Sequence, residues 1–485
     1  MPESLKSRTV SGVFWSGVER FSVQAVQLVI GILIARVLSP TDYGIVGMLA
    51  IFLSISQMLI SSGFVAALIR KIDRTQTDCS TVFYFNILVG FFLYFILFFS
   101  APLIAAFFKT PILIPITRVL AFTLVFNSLT VVQRALLIAK VDFKTQAKVT
   151  FLATILSGAL GIWMAYHDYG VWALVAQAVV SAALTTLLLW FFGKWQPSWV
   201  FSWSSFWEMF SFGSKLIVSR LIETLYHQAH TLIIAKVYSA RELGLYARAQ
   251  NFADFPSSNI TGIFSRVTYP LLCELQDDEE RLCSTYRSYL RLSAYIIFPM
   301  TLGLSVLATP LILVLLTEKW AGSIIFLQIL CFSMMWIPVH AINLNILQVK
   351  GRSDLILRIE IIKKIMGIAI LCITAPISVK AMCIGAVFFS TLSLVINTHY
   401  TGILLNLSFL KQMRDLAPTL IQSFLMGGVV LFFTHYIESN LVKLLAGASL
   451  GAVFYIFLSY ICRSHEQRLL LSLIPVDKIK GFLHR

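Results

Sequence analysis

Ten charged side chains lie inside stretches of this chain that are otherwise apolar. They are the cations Arg20, Arg118, Arg134, Lys215, Arg220, Arg248 and Arg266 and the carboxylates Glu19, Glu223 and Asp254. At the centre of a bilayer each such charge costs at least ~2.5–3.5 kcal/mol, so a chain that only had to span would not keep them. We therefore expect them to face a protein-lined interior. The cationic surplus suits a ligand with phosphate groups, which arginine binds bidentately.

The spacing of the polar residues predicts which of them share a helix face. Arg20, Gln24 and Gln27 follow the i, i+4, i+7 pattern of one face. Further along the chain, Glu223 and His227 lie four residues apart on a second predicted face. The residues predicted to line a cationic, polar, substrate-binding cavity are Arg20, Gln24, Gln27, Lys215, Arg220, His227 and Asn251. The candidate ion-coupling carboxylates are Glu223 and Asp254.

Purely structural interpretations of these charges stay open. Arg220 with Glu223 can form an ion pair that only fixes helix packing, as can Arg20 with the neighbouring Glu19. Other side chains have simpler roles: Arg134 and Arg266 near helix ends are expected to reach the headgroups, and His227 and His230 are either proton-titrating groups or satisfied buried histidines. The seven cysteines are scattered without a C-x-x-C pattern, so the sequence predicts no metal site and no disulfide framework.

The chain contains a copy of part of itself. Residues 34–45, IARVLSPTDYGI, return without a gap as residues 234–245, IAKVYSARELGL. At the same offset Arg20, Gln24 and Gln27 align with Arg220, Thr224 and His227. Self-similarity at a fixed period in a membrane chain is typical of transporters built from two parallel halves around a central cavity. We therefore predict two six-helix bundles, 1–200 and 201–405, followed by a helix pair and a basic tail, 406–485.

Composition places the chain in a membrane. Of its 485 residues 58% are hydrophobic and 13% are charged, against about 25% charged in soluble domains. A membrane-spanning helix needs about 20 apolar residues, and the apolar runs are continuous, which predicts an all-α polytopic fold. Fourteen spans are predicted: Val13–Val37, Gly44–Ile69, Val82–Phe108, Ile112–Ala139, Val149–Tyr166, Val171–Phe192, Ser211–Val237, Gly244–Leu272, Tyr289–Leu316, Ser323–Val349, Ile361–Val379, Ala381–Leu405, Leu416–His435 and Leu444–Cys462.

The distribution of positive charge predicts the orientation of these spans. With the N-terminus inside, the inner segments hold 24 lysines and arginines and the outer ends hold 7. This bias predicts that both termini are cytoplasmic. The net charge of +15 then describes inner loops that face anionic lipid, and it does not imply a nucleic-acid partner. The tail 464–485 is predicted to lie as a short basic amphipathic segment on the inner surface.

Three phrases of the sequence resemble a known family. They are residues 12–16, GVFWS, residues 34–44, IARVLSPTDYG, and residues 137–144, LIAKVDFK. The chain resembles the Wzx-type polysaccharide flippases, the polysaccharide-transporter branch of the multidrug/oligosaccharidyl-lipid/polysaccharide exporter superfamily. The phrase Ala-Arg-x-Leu-x-Pro-x-(Asp/Glu)-(Tyr/Phe)-Gly is fairly specific to that branch, and the fourteen predicted spans extend the resemblance over nearly the whole chain.

The resemblance implies a transporter and not an enzyme. It implies that an undecaprenyl-diphosphate-linked oligosaccharide crosses the bacterial inner membrane by alternating access, for export of O-antigen, capsule or exopolysaccharide. It implies no cofactor and coupling to an ion gradient, with H⁺ and Na⁺ both open. The expected partners are the lipid-linked oligosaccharide and membrane lipids, with the polysaccharide polymerase machinery as a further candidate.

Two other classes of membrane protein remain as alternatives. A drug or cation antiporter of the same superfamily usually has twelve spans and an acidic cavity, which the additional helix pair and the cationic surplus disfavour. An integral-membrane polysaccharide polymerase or ligase needs catalytic groups outside the membrane. The short outer loops and the absence of H-E-x-x-H, P-loop and G-x-S-x-G motifs disfavour that class.

Overall fold

The computed structural model describes residues 22–464 except 72, 141 and 194, together with 466–468 and 470. This part of the chain is built of α-helices and short loops and contains no strand, which confirms the all-α prediction. Within it, nine helices are long and apolar enough to cross a membrane, or up to eleven if each of two bent pairs is one span. The count of fourteen spans therefore stays a prediction.

The chain divides into two compact units, residues 1–247 and 248–485. The helices of the first unit are α1 (Ser22–Val37), α2 (Pro40–Met48), α3 (Ala50–Arg70), α4 (Gln76–Phe108), α5 (Leu113–Leu120), α6 (Phe122–Ser128), α7 (Val131–Ala139), α8 (Phe143–Tyr166), α9 (Val171–Phe192), α10 (Trp203–Val237) and the start of α11 (Ala240–Glu274). Helix α10 falls in the first unit because it packs along α3. The bundle boundaries at 200 and 405, which come from the repeat, stay a prediction.

The second unit contains the rest of α11 and eight further α-helices. They are α12 (Glu279–Val306), α13 (Ala308–Leu315), α14 (Ser323–Met334), α15 (Ile337–Val349), α16 (Ser353–Thr374), α17 (Val379–Leu405), α18 (Phe409–His435) and α19 (Asn440–Ile461). The last two are the predicted additional helix pair. They are tied to α12 by a bidentate ion pair from Arg287 to Asp415 at 2.6 and 2.7 Å and by a hydrogen bond from the Tyr455 hydroxyl to the Tyr295 carbonyl.

Three further helices are long enough to span a membrane but are not among the nine apolar ones, because they contain several charged side chains. Helices α10, α11 and α16 are 35, 35 and 22 residues long, and each contains at least five charged side chains. A soluble helix would place such charges on a solvated face. In a membrane chain they have to be placed against protein or a water-filled cavity, which directs attention to the surroundings of α10.

Candidate functional site

The first copy of the repeated motif is a helix start that turns the chain sharply. The Ser39 hydroxyl accepts a hydrogen bond from the Asp42 amide, while the Asp42 carboxylate accepts from the Ser39 amide at 2.9 Å and from its hydroxyl at 2.7 Å. Pro40 occupies the first turn, where its missing N–H is not needed. As a result α1 and α2 meet at 119°. In the second copy the Ser239 hydroxyl likewise accepts from the Glu242 amide, at 3.2 Å.

The two copies of the motif pack against each other reciprocally. A methyl group added to Gly44 would overlap the Ala240 carbonyl oxygen, and one added to Gly244 would overlap the Pro40 carbonyl oxygen. Because Pro40 aligns with Ala240 and Gly44 with Gly244, the two contacts are equivalent, as a local two-fold axis requires. The repeated glycines therefore permit a backbone-to-backbone approach that no other residue would allow.

A polar cavity lies in the first unit between α3, α6 and α10. Its volume is about 770 Å³. It is lined by Leu53, Ser54, Gln57, Met58 and Ser61 of α3, by Thr123, Leu124 and Asn127 of α6, and by Arg220, Glu223, Thr224, His227 and Gln228 of α10. Most of these side chains carry hydroxyl, amide or charged groups, in a unit whose other helices are strongly apolar.

Hydrogen bonds across the cavity hold part of this lining in place. The Asn127 amide donates to Gln57 Oε1 at 2.9 Å and joins α6 to α3. The Gln228 amide donates to the Ser54 hydroxyl at 3.3 Å and joins α10 to α3. The wall thus presents oriented amide and hydroxyl groups, the kind of group that recognises a polar ligand by hydrogen bonding.

The two charged residues of the cavity, Arg220 and Glu223, do not form the ion pair with each other that the sequence left open. Glu223 Oε1 lies 3.9 Å from His227 Nε2, one helical turn further on. Arg220 makes no ion pair with any carboxylate among the described residues, and its side chain is exposed to the cavity. A guanidinium without a fixed counter-charge is available to an anionic ligand.

The structure brings together three of the predicted α10 residues and describes others only in part. Arg220, Glu223 and His227 all line the cavity. Lys215 also lies in α10, but its side chain is outside the described part of the chain. The predicted position Arg20 also lies outside the described residues.

The remaining predicted residues lie on α1 and α11. On α1, Gln24 is half-buried with an unpartnered Oε1, and Gln27 is exposed. On α11, Asn251 is exposed and Asp254 accepts a hydrogen bond from the Ser258 hydroxyl. None of these four is among the residues that line the cavity of the first unit.

The contribution of α3 was not predicted. Ser54, Gln57 and Ser61 follow the i, i+3, i+7 spacing of one helix face within an apolar span. The spacing that placed Gln24 and Gln27 beside Arg20 marks this face too, but α3 carries no charged residue before Arg70 to draw attention to it. Asn127 of α6 carries no such periodic signal, because α6 is only seven residues long.

Two of the intramembrane cations pack against aromatic rings and not in the cavity. The Arg118 guanidinium lies 4.5 Å from the centre of the Phe98 ring. The guanidinium of Arg248, which is buried in the second unit, lies 5.5 Å from the Trp320 ring. Cation–π contacts of this kind stabilise a desolvated cation locally. Neither arginine is among the residues predicted to line the substrate cavity.

A close helix contact and a charge cluster join α3 to the first half of α10. A methyl group on Gly63 would lie 2.9 Å from the Gly213 carbonyl oxygen, so the two backbones nearly touch. Near the helix ends Lys71 Nζ lies 2.9 Å from Glu208 Oε2 and 3.1 Å from Asp78 Oδ2. Hydrogen bonds to Glu208 and to Asp78 raise the pKa of Lys71 above its ordinary value.

The second unit has an apolar cavity of about 430 Å³ between α12, α13, α18 and α19. It is lined by Pro299, Met300, Gly303, Leu304, Leu307, Leu311, Met426, Val430, Leu444, Gly447, Ala448, Gly451, Ala452, Tyr455 and Ile456. Gly447 lets α19 pack closely at the edge of this cavity, because a methyl group there would lie 2.7 Å from the Leu307 side chain. The lining fits a hydrocarbon chain and offers almost no polar group.

The solved structures of known proteins reproduce this fold. The structure of the lipid II flippase MurJ in an inward closed conformation superposes with a TM-score of 0.73, covering 93% of this chain and 98% of that chain, at 14% sequence identity. Identity at this level shows a shared fold alone. The chain therefore has the helical architecture of a membrane transporter.

Characterised relatives match over most of their length. The teichuronic acid biosynthesis protein TuaB of Bacillus subtilis (strain 168) is 25% identical over 463 residues, 94% of this chain and 96% of that protein. The lipopolysaccharide biosynthesis protein WzxC of Escherichia coli (strain K12) is 26% identical over 401 residues, 81% and 80% of the two chains. The model of the family described as "Polysaccharide biosynthesis protein" matches residues 33–325, which is more than half of the chain. The chain thus belongs to this polysaccharide biosynthesis protein family.

Proposed function

We propose that the protein is a flippase that moves an undecaprenyl-diphosphate-linked oligosaccharide from the cytoplasmic to the periplasmic leaflet of the bacterial inner membrane by alternating access. The observation that carries this proposal is the open polar cavity of the first unit, which lies in a chain otherwise apolar enough for a bilayer. Two relatives support it, because TuaB and WzxC are named for polysaccharide biosynthesis. A structural neighbour with the same fold, MurJ, is named a lipid II flippase.

A lipid-linked sugar has a polar part and an apolar part, which need different surroundings. Oligosaccharide hydroxyls match the amide and hydroxyl groups of Ser54, Gln57, Asn127 and Gln228. A diphosphate matches the guanidinium of Arg220, which has no carboxylate partner among the described residues. The prenyl chain does not need to leave the bilayer, and the apolar cavity of the second unit is a surface that such a chain fits. Transport of this kind makes and breaks no covalent bond, so the proposal needs no catalytic residue.

The remaining features of the proposal follow the sequence. Both termini are cytoplasmic, Glu223 and Asp254 are the carboxylates that couple movement to an H⁺ or Na⁺ gradient, and the exported repeat units are passed to the polymerase machinery. His227 already lines the cavity, and Arg20, Gln24, Gln27, Lys215 and Asn251 join the polar lining in the course of the transport cycle.

A deletion strain tests the function in cells. Without the protein, lipid-linked repeat units should accumulate on the cytoplasmic leaflet, where an impermeant glycosidase added outside spheroplasts does not reach them. Deleting a polymerase instead leaves single repeat units on the periplasmic face, and deleting a drug antiporter changes susceptibility to cationic drugs and leaves this pool unaltered. Normal exposure of repeat units on the periplasmic face of the deletion strain would contradict the proposal.

Purified protein provides the second test. In proteoliposomes with a fluorescent lipid-linked oligosaccharide in the inner leaflet, wild-type protein should expose the label to an external quencher. Arg220→Ala should slow this exposure. Arg281→Ala is the matched control, because Arg281 is an exposed cation at the start of α12, paired with Asp278 at 3.3 Å. Equal rates for the two variants would remove Arg220 from the binding site.

A further inference from the structure

The segment that joins α9 to α10 is exceptionally rich in aromatic residues. Five of the ten tryptophans of the chain and five phenylalanines fall within residues 190–210. They are Trp190, Phe191, Phe192, Trp195, Trp199, Phe201, Trp203, Phe206, Trp207 and Phe210. We call this segment the aromatic connector. Neither the polar cavity nor the repeated motif includes it, so its composition needs a reason of its own.

One part of the aromatic connector is fastened to the first unit through hydrogen bonds. The Trp190 indole N–H donates to the Leu129 carbonyl at 3.1 Å, and the Trp195 indole N–H donates to Gln76 Oε1 at 2.8 Å. Polar contacts to the first turns of α4 continue this attachment: the backbone amides of Ser198 and Ser202 donate to hydroxyls of Ser80 and Thr81, each at 3.0 Å. The backbone of the connector is therefore held in one position.

The other three tryptophans face outward. The exposed fractions of Trp199, Trp203 and Trp207 are 95%, 67% and 60%. Trp203 and Trp207 lie four residues apart, so they share a face of α10. None of the three indole N–H groups donates to an acceptor among the described residues.

The outward rings are nevertheless rigidly supported. Trp199 stacks on Tyr84 with ring centres 5.9 Å apart, and Trp203 and Trp207 pack edge-on against Phe206 at 5.7 and 5.3 Å. A face of aromatic rings whose N–H groups have no acceptor among the described residues is amphipathic: the rings favour an apolar medium, while the N–H groups need an acceptor. The headgroup region of a bilayer offers both, and tryptophan is enriched there for this reason.

The position of the three tryptophans in the chain favours the same surroundings. Trp199 lies between the end of the apolar span α9 and the start of α10, and Trp203 and Trp207 lie in the first turns of α10. A chain that crosses the membrane at α9 reaches the headgroup level here. Arg70 ends α3 and Arg74 follows it nearby, and cations at this level favour phosphate-bearing lipid. A soluble protein partner would not account for a tryptophan-rich face at the end of a span.

We propose that Trp199, Trp203 and Trp207 form an interfacial anchor that binds phospholipid headgroups and fixes the depth of the first turns of α10. The proposed orientation of the chain assigns this anchor to the cytoplasmic leaflet. Its consequence concerns the cavity, because the same helix carries Arg220, Glu223 and His227. With its first turns held at the interface, α10 has to change the cavity by tilting or bending beyond the anchor and not by sliding through the bilayer.

Tryptophan fluorescence in proteoliposomes tests the anchor. The emission of the triple variant Trp199→Phe, Trp203→Phe, Trp207→Phe is subtracted from that of the wild type, which isolates the three rings. Their emission should be quenched most by phosphatidylcholine brominated near the headgroup, less by lipid brominated near the chain ends, and little by iodide in the water. The control is the double variant Trp190→Phe, Trp195→Phe. The emission that this variant loses comes from the two hydrogen-bonded indole rings, and it should respond weakly to either kind of quencher.

Two results would overturn the proposal. Strong quenching by iodide with no effect of brominated lipid would place the rings in water, as for a face that binds a soluble protein or a sugar. Adding a soluble oligosaccharide identifies the sugar case, because stacking on the rings would change their emission. Quenching mainly by the deep bromines would place the rings in the hydrocarbon core, where they anchor nothing. The measurement does not depend on transport, so its failure leaves the proposed function unaffected.

Discussion

Replacing Gly44 or Gly244 by alanine should prevent the two copies of the repeated motif from closing on each other. The new methyl group at Gly244 would overlap the Pro40 carbonyl oxygen and lie 2.7 Å from the carbonyl carbon. Carbon atoms pack at about 3.5–4.0 Å, so the two helix starts would have to separate by at least ~0.8 Å. The obstructing atoms belong to the backbone, so no rotation of a side chain relieves the overlap.

The expected size of the effect follows from the cost of overpacking. An extra methylene in a packed site costs ~1–3 kcal/mol, and an equilibrium changes tenfold for every ~1.4 kcal/mol. A cost of ~2 kcal/mol therefore lowers the population of the closed arrangement about 30-fold relative to the open one. If transport requires both arrangements in turn, flipping should slow while the protein stays folded.

Hydrogen exchange and flipping in proteoliposomes together measure this effect. Amides of α2 and of the first turns of α11 should exchange faster in Gly44→Ala and Gly244→Ala than in the wild type, and the flipping rate should fall. Gly428→Ala on α18 is the matched control, because an added methyl group there meets nothing within 4 Å. Gly47→Ala should be milder, since its neighbour at 3.1 Å is the Leu243 side chain, which can move. Wild-type exchange and wild-type flipping in both variants would refute the reasoning.

Four further predictions concern charged residues. Arg220→Ala should lower flipping at least tenfold at normal protein level, and Arg220→Lys should keep part of it because the charge remains and the bidentate fork is lost; full export by Arg220→Ala would exclude phosphate binding there. Glu223→Gln and Asp254→Asn should each leave substrate binding intact and make its movement insensitive to an imposed H⁺ or Na⁺ gradient; retained gradient dependence with a lower melting temperature would make both residues structural. A reporter fused at Arg485 should be active only if it works in the cytoplasm, and periplasmic activity would reverse the orientation. Arg287→Ala should destabilise the protein by about 2–3 kcal/mol. This is below the ~3–5 kcal/mol for breaking a fully buried ion pair, because the Arg287 side chain is 40% exposed. An unchanged melting temperature would show that Asp415 finds another partner.

Much of the architecture could be predicted from hydrophobicity alone. The predicted spans Val171–Phe192 and Ser323–Val349 coincide with apolar segments of the structure that are long enough to cross a membrane. The predicted span Ile112–Ala139 instead contains three short helices with a 43° bend before the last of them. Such bends depend on what each turn packs against, and hydropathy does not report packing. The packing of α10 along α3, which places it in the first unit, is a tertiary property of the same kind.

The candidate site was predictable where charge or helical spacing marked it. Arg220 and Glu223 were selected because a charge in an apolar span is costly, and His227 because it lies one turn from Glu223; all three line the cavity. The uncharged Gln24 and Gln27 were selected because they share a face with Arg20, whereas Gln57 and Asn127 were not selected because their helices carry none of the charged residues assigned to the cavity. Their mutual hydrogen bond joins two helices 70 residues apart in sequence, and only the fold brings them together.

The two copies of the repeat share their backbone contacts but differ in the residues that correspond to the cavity lining. The closing contacts are duplicated, since Gly44 meets the second copy as Gly244 meets the first. The cavity chemistry is not duplicated: position 223 holds a carboxylate where position 23 holds valine, and position 227 holds histidine where position 27 holds glutamine. In the two halves that the repeat predicts, a symmetric closure would let both move by the same amount about one axis. A ligand with a charged diphosphate at one end and neutral sugars at the other has no such symmetry, so the residues that bind it are expected to diverge between the halves while the glycines of the repeated motif stay paired.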